Sequence, residues 1–196
     1  MKRMLPALLA LAAGCASVTG PPPAAADPRL AASRALADRF QAELMQALEA
    51  AIAADGVAGA VTACAAIAPA LAKQLSEESG ARVRRTALRV RNPAARPDPF
   101  EHAALLRLAT APLDAAGRPA EILAARGGTF RYVRAIPTRG LCLQCHGETI
   151  APDVRAAIAA AYPGDAATGF REGELRGAFS ITWSRPMPVP AGDRGS

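Results

Sequence analysis

Two cysteines and a histidine stand together in Cys142-Leu143-Gln144-Cys145-His146. This C-x-x-C-H spacing is the attachment pattern of c-type haem. Each thiol adds across a haem vinyl group, and the adjacent imidazole becomes an axial iron ligand. The two intervening residues let both sulfurs reach one edge of the macrocycle while His146 folds beneath the ring. A redox C-x-x-C pair and half of a zinc site share the same letters. Zinc would need two further ligands at compact spacing, and the chain has no second C-x-x-C and no H-x-x-x-H. One covalent haem c is the expected cofactor.

The start of the chain agrees with that chemistry. Met1-Lys2-Arg3 is basic and residues 4–13 form a short apolar run. The pair reads as an export signal, too short to span a bilayer. Leu11-Ala12-Ala13-Gly14-Cys15 resembles a bacterial lipobox, in which the Cys is acylated and becomes the mature N-terminus. The rival cleavage pattern, Ala24-x-Ala26, lies beyond Pro21-Pro22-Pro23 and far from the apolar run. A lipid on Cys15 would tether the protein to a membrane without a span. Ala16 follows the Cys with no Asp retention residue, so the expected location is the periplasm, at the outer membrane rather than the inner. Haem is attached outside the bacterial cytoplasm, so signal and motif support each other.

The domain reading is a signal peptide over 1–14, an Ala/Pro-rich tether over 15–26, a folded body over 27–185 and a disordered tail over 186–196. That body suits one domain. The net charge of +6 includes Lys2 and Arg3 of the signal, and the rest is dispersed arginine. No nucleic-acid-binding module is present. The expected partners are haem, a membrane through the lipid, and a redox or signalling protein.

The elements that must position the motif follow from periodicity. Asp27-Pro28 is an N-cap followed by proline at the first helical position. Leu36, Phe40, Leu44, Leu48 and Ile52 then recur every fourth residue, as on one face of a long amphipathic helix. Gly56 ends it. Val57, Val61, Cys64, Ala68, Leu71 and Leu75 mark a second helix stopped by Gly80. Cys64 falls on its buried face, and Pro69 is expected to break or kink it. Residues 83–91 alternate as a strand, with Arg85, Arg89 and Arg91 opposite Thr86, Leu88 and Val90. Asp98-Pro99-Phe100-Glu101 starts a capped helix with Leu105 and Leu108 inside. Residues 122–125 and 129–136 flank Gly127-Gly128 as a hairpin, and the C-x-x-C-H motif is expected on the loop after it. A short helix over 152–162 and a last strand over 173–183 complete the body. In that strand Leu175, Phe179, Ile181 and Trp183 share a face. The fold class is α+β: an antiparallel sheet of about four strands, N-terminal amphipathic helices, and a cup that buries a haem.

Residues 36–183 resemble the exported haem-c-binding domains with a PAS-like fold, a family long catalogued as a domain of unknown function. Its members include single-domain cytochromes and ectodomains of sensor kinases and cyclases. The matching pieces come in order: Cys64 with Ala68-Pro69; Arg85-Thr86; Arg91-Asn92-Pro93; Pro97-Asp98 and Glu101. Ile136-Pro137, Cys142-Leu143-Gln144-Cys145-His146-Gly147, Tyr162-Pro163, Asp165, Ala167, Gly169, Gly173 and Arg176-Gly177-Ala178 follow. Ala87, Ala95, Phe100, Phe170 and Glu174 depart from the pattern, and none is an attachment residue. The resemblance implies haem binding in a PAS-like cup.

For the second axial position the sequence offers Cys64, His102, Met45, Met187 or nothing. Met187 falls in the tail, Met45 beside a packed stripe, and His102 just after a capping box. Cys64 otherwise reads as a small buried hydrophobe; the resemblance favours it as the ligand. A ligating Cys is a thiolate that favours Fe(III) and lowers the potential. The arginines at 85, 89 and 91 suit either a solvated strand face or partners for haem propionates, with Arg134 and Arg139 as further partners. A redox- or gas-sensing module is the leading functional expectation, and a low-potential electron carrier of the cell envelope is the alternative. A peroxidase-like enzyme needs distal acid-base groups, for which only His102 offers a second imidazole, so the expectation is a non-enzyme.

Overall fold

The structure is a computed structural model and describes residues 27–184. The signal peptide, Cys15, the tether, Met187 and the tail lie outside the described residues. The chain forms helix α1 (Pro28–Ser79), strand β1 (Arg82–Thr86), a 3-10 turn (Pro93–Ala95) and helix α2 (Pro99–Thr110). Strands β2 (Glu121–Arg126) and β3 (Thr129–Pro137) follow, then helices α3 (Gly140–His146) and α4 (Pro152–Ala161) and strand β4 (Leu175–Trp183). The four strands make one antiparallel sheet in the order β1-β4-β3-β2. The α+β class and the four-stranded sheet expected from the sequence are those observed.

Asp27 caps α1 by accepting from the Arg29 backbone N–H at 2.9 Å. The Arg29 guanidinium in turn donates to the Gly128 carbonyl at 2.6 Å, which fastens the helix start to the β2–β3 turn. The apolar stripe of α1 covers one sheet face. Phe40, Leu71 and Leu75 pack with Phe130, Tyr132, Phe179, Ile181 and Trp183. Phe40 and Phe179 meet at 5.2 Å between ring centroids, an arrangement worth about 0.5–1.5 kcal/mol beyond the buried area. The other sheet face carries α2, whose Ala104, Leu105 and Leu108 pack on Val133, Ala135 and Ala178. The Asp98–Glu101 capping box forms as expected, and the fully buried Glu101 meets Arg84 of β1 at 3.0 Å.

Four expectations are corrected. The backbone of α1 leaves helical geometry at Gly56 (φ 69°, ψ 179°) and nowhere else inside the helix. The helix runs on through Pro69, so the expected break there does not occur: losing one i to i−4 bond leaves the flanking turns, which pack through Ile67, Ala68, Leu71 and Ala72, helical. The strand predicted over 83–91 stops at Thr86. There the Ala87 N–H turns away from the sheet and donates to the Ala95 carbonyl at 3.2 Å. The C-x-x-C-H motif lies on the short helix α3 rather than on a loop. Leu175 does not share the face of Phe179, Ile181 and Trp183 but packs with α2. The cause is a register shift: Ile136 pairs with Gly177 whereas Pro137 pairs with Leu175, leaving Arg176 as the extra residue of a bulge.

Candidate functional site

Helix α3 presents its residues at helical spacing, so Cys142 and Cys145, three apart, lie on one face with His146 one step further. All three are half-buried and line a cavity of about 420 Å³. That volume is of the size that holds a small organic cofactor. Cys64, from the second arm of α1, lines the same cavity and is also half-buried. Met45, Leu48, Ile52 and Val57 complete an apolar wall. These residues continue the stripe that Phe40 and Leu44 bury against protein, yet they are only half-covered. The stripe runs past the protein's own core and lines the cavity instead.

His146 is held by several fixed contacts. Its Nδ1 lies 2.7 Å from the Ala167 carbonyl oxygen. A carbonyl can only accept, so Nδ1 carries the proton and Nε2 keeps its lone pair, the tautomer a metal ligand needs. Burial, reinforced by the charges of Arg176 and Arg91, drives the imidazole pKa well below its ordinary value. The ring is therefore neutral. Phe170 packs edge-on against it, 6.3 Å between centroids at 89°. The helix itself is clamped by Arg91, whose guanidinium donates to the Cys145 carbonyl at 2.7 Å and to the Ala167 carbonyl at 3.3 Å. Arg91 also pairs with the nearly buried Asp165 at 3.0 Å. Phe170 and Gly169 add backbone bonds of 2.9 and 2.8 Å to the carbonyls of His146 and Gly147. These bonds tie the loop over 165–170 to the motif helix.

The three described cysteines are free thiols. Burial pushes the Cys64 thiol up, and Arg85 and Arg91 pull it partly back. Cys145 is raised by the same desolvation. Its side chain packs against Val61, Ile150, Val154 and Ile158, so α4 backs the motif helix.

Of the other candidates for the second axial position, His102 sits exposed on α2, on the far side of the sheet, and does not line the cavity. Met45 does line it, one helical arm away from Cys64. Arg89 is exposed and stacks over Phe170 at 4.0 Å. Arg134 pairs with Asp38 at 2.6 Å, and Arg139 lies outside the cavity lining. The sequence reading passed over Arg176 as a functional group. Regular alternation puts it on the α2 face, and only the bulge turns it to the cavity.

The set Cys142, Cys145, His146 and Cys64 suits an iron porphyrin: two thiols on one helix face, a neutral imidazole beside them, and a further sulfur and apolar side chains lining the same cavity. Among known proteins, a family model described as Tll0287-like matches residues 24–184. The crystal structure of the cyanobacterial heme-protein Tll0287 superposes with a TM-score of 0.59 at 26% identity, covering 84% of this chain and all of that one. No curated protein matches the chain. With a match that spans the whole folded body, the chain belongs to the Tll0287-like family.

Proposed function

We propose that this chain is an exported, membrane-tethered c-type haem protein with a PAS-like cup, and that it works as a redox- or gas-sensing module. A single haem c is bonded to Cys142 and Cys145 and ligated by His146 and Cys64. The observation that carries the reading is the convergence of these four residues on one apolar cavity. Family membership supports it, since the solved structure it matches is that of a heme-protein. When bound, the haem supplies a one-electron iron couple and an axial position that a small molecule can take.

The chain's own residues do the rest. Arg91 and Asp165 fix α3, the Ala167 carbonyl and Phe170 orient His146, and the α1 wall gives the cavity an apolar side. Cys64 is the adjustable member. Its buried surroundings disfavour a thiolate, so Cys64 would hold a ferric iron through that ion's charge and would hold a ferrous one less firmly. That property suits a switch better than a carrier, which needs unchanged ligation in both states. Cys15 carries the lipid, and Ala16 after it, in place of an Asp retention residue, supports periplasmic placement at the outer membrane.

The test of haem attachment is a pyridine haemochrome spectrum and a haem stain after denaturing electrophoresis. Wild-type protein matured with the haem-attachment machinery should keep its haem through denaturation with the band of two thioether bonds. Cys142→Ala with Cys145→Ala should lose it. Haem that is extractable from the wild type contradicts the reading.

A further inference from the structure

Arg176 is 9% exposed. Among the described residues its Nε has no hydrogen-bond partner, and its one side-chain hydrogen bond runs from Nη1 to the Arg89 carbonyl at a long 3.4 Å. Arg85, one strand away on β1, also lines the cavity. Neither forms an ion pair among the described residues, although the neighbouring arginines Arg91, Arg134 and Arg131 all do. Each guanidinium raises the cost of charging the other. Burial, with Arg85 and Arg91 beside it, pushes Arg176 down to about 9, and burial lowers Arg85 as well. An uncompensated buried cation costs several kcal/mol.

The backbone is shaped to accept that cost. The bulge between Ile136 and Pro137 turns Arg176 out of the α2 face and into the cavity. Next to it, a Cβ on Gly177 would lie 2.7 Å from the Thr86 carbonyl oxygen. Glycine therefore lets β4 approach β1 closely at this point, where Arg85 and Arg176 come together. Phe170 supports the second guanidinium, 5.4 Å from ring centroid to Arg176 Cζ. Two guanidiniums facing an apolar cavity match a carboxylate, which takes paired N–H donors from each.

We propose that Arg85 and Arg176 form a carboxylate clamp that holds a propionate of the haem inside the protein. This rests on the haem reading above. The haem propionate, rather than a free small carboxylate, is the committed occupant, because the clamp shares its cavity with Cys142, Cys145 and His146.

The experiment uses the full-length holoprotein and its Arg176→Gln, Arg85→Gln, Arg176→Lys and Arg134→Gln variants. Resonance Raman reads the propionate bending modes, and a spectroelectrochemical titration reads the midpoint potential. Arg176→Gln and Arg85→Gln should shift the bending mode and lower the potential, since removing a cation favours the ferric state. Arg176→Lys should shift the mode less, and Arg134→Gln should change neither. Bending modes that stay put in both glutamine variants overturn the clamp. A free carboxylate as occupant gives that same result, with the wild-type spectrum instead changing when acetate is added. If the glutamine variants fail to accumulate, a crystal structure of the wild-type holoprotein decides. A propionate oxygen within hydrogen-bond distance of Arg176 supports the clamp, and two propionates in solvent overturn it. Wild-type protein without covalent haem overturns the underlying reading too, and the haem stain tells that failure from a failure of the clamp alone.

Discussion

At the scale of single residues, His146 and Cys64 are held differently. His146 is fixed by the Ala167 carbonyl, by Phe170 and by the Arg91 clamp on its helix. Cys64 has only the packing of its helix, and burial raises its thiol pKa. Removing Arg91 should thus disturb the site through His146. Arg91→Ala leaves the Asp165 carboxylate buried without its partner, which should cost about 3–5 kcal/mol. Chemical denaturation of the holoprotein measures it. Arg91→Lys keeps a charge but loses the fork that reaches two carbonyls and the carboxylate together, so it should recover only part of the loss. The residues carrying chemistry were legible because their letters are scarce: four Cys and two His in the whole chain. Arg176 was not, since no local pattern announces a bulge, and one extra residue reverses every later facing.

At the scale of elements, α1 is two arms joined at Gly56, and the second arm carries Cys64 to the cavity that α3 also lines. With φ 69° and ψ 179°, Gly56 occupies a region essentially closed to other residues. Gly56→Ala should therefore destabilise the fold by about 1–3 kcal/mol and weaken Cys64 ligation, seen as a changed ferric spectrum at equal haem content. The first arm depends on its cap. Asp27→Ala should cost about 1 kcal/mol. The Asp27 carboxyl is held below its ordinary value, chiefly by the Arg29 side chain. A depressed carboxylate contributes stability that is present above its unfolded pKa near 3.9 and is lost as pH falls through the folded value. The wild-type and Asp27→Ala unfolding curves should thus differ at neutral pH and converge in strong acid. Helix starts, the hairpin and the fold class were legible because caps, Gly-Gly turns and periodicity are local. The end of β1 at Thr86 was not, because it is decided by the carbonyl of Ala95, which the strand's own alternation cannot report.

At the scale of the whole molecule, one sheet separates two tasks. The α2 face is a sealed core with the buried Glu101–Arg84 pair. The α1 face passes from closed core at Phe40 and Leu75 to the open-sided cavity at Cys64 and His146. In a molecule so divided, the ligation change proposed for the sensor reading would take place at one end while the other stays packed. The lipid proposed on Cys15 would set where that change is read. Intact-mass measurement of the membrane fraction should find the mature chain starting at acylated Cys15, and an unmodified Cys15 removes the tether. The central claim is the coordination of the iron by His146 and Cys64. It is tested most directly by absorption and EPR spectra of the purified holoprotein, ferric and ferrous, with CO added to the ferrous form and Cys64→Ala alongside. The account predicts a six-coordinate low-spin ferric thiolate signature that Cys64→Ala abolishes, and a ferrous form that loses the sulfur and binds CO. Ferric spectra identical in wild type and Cys64→Ala would contradict it.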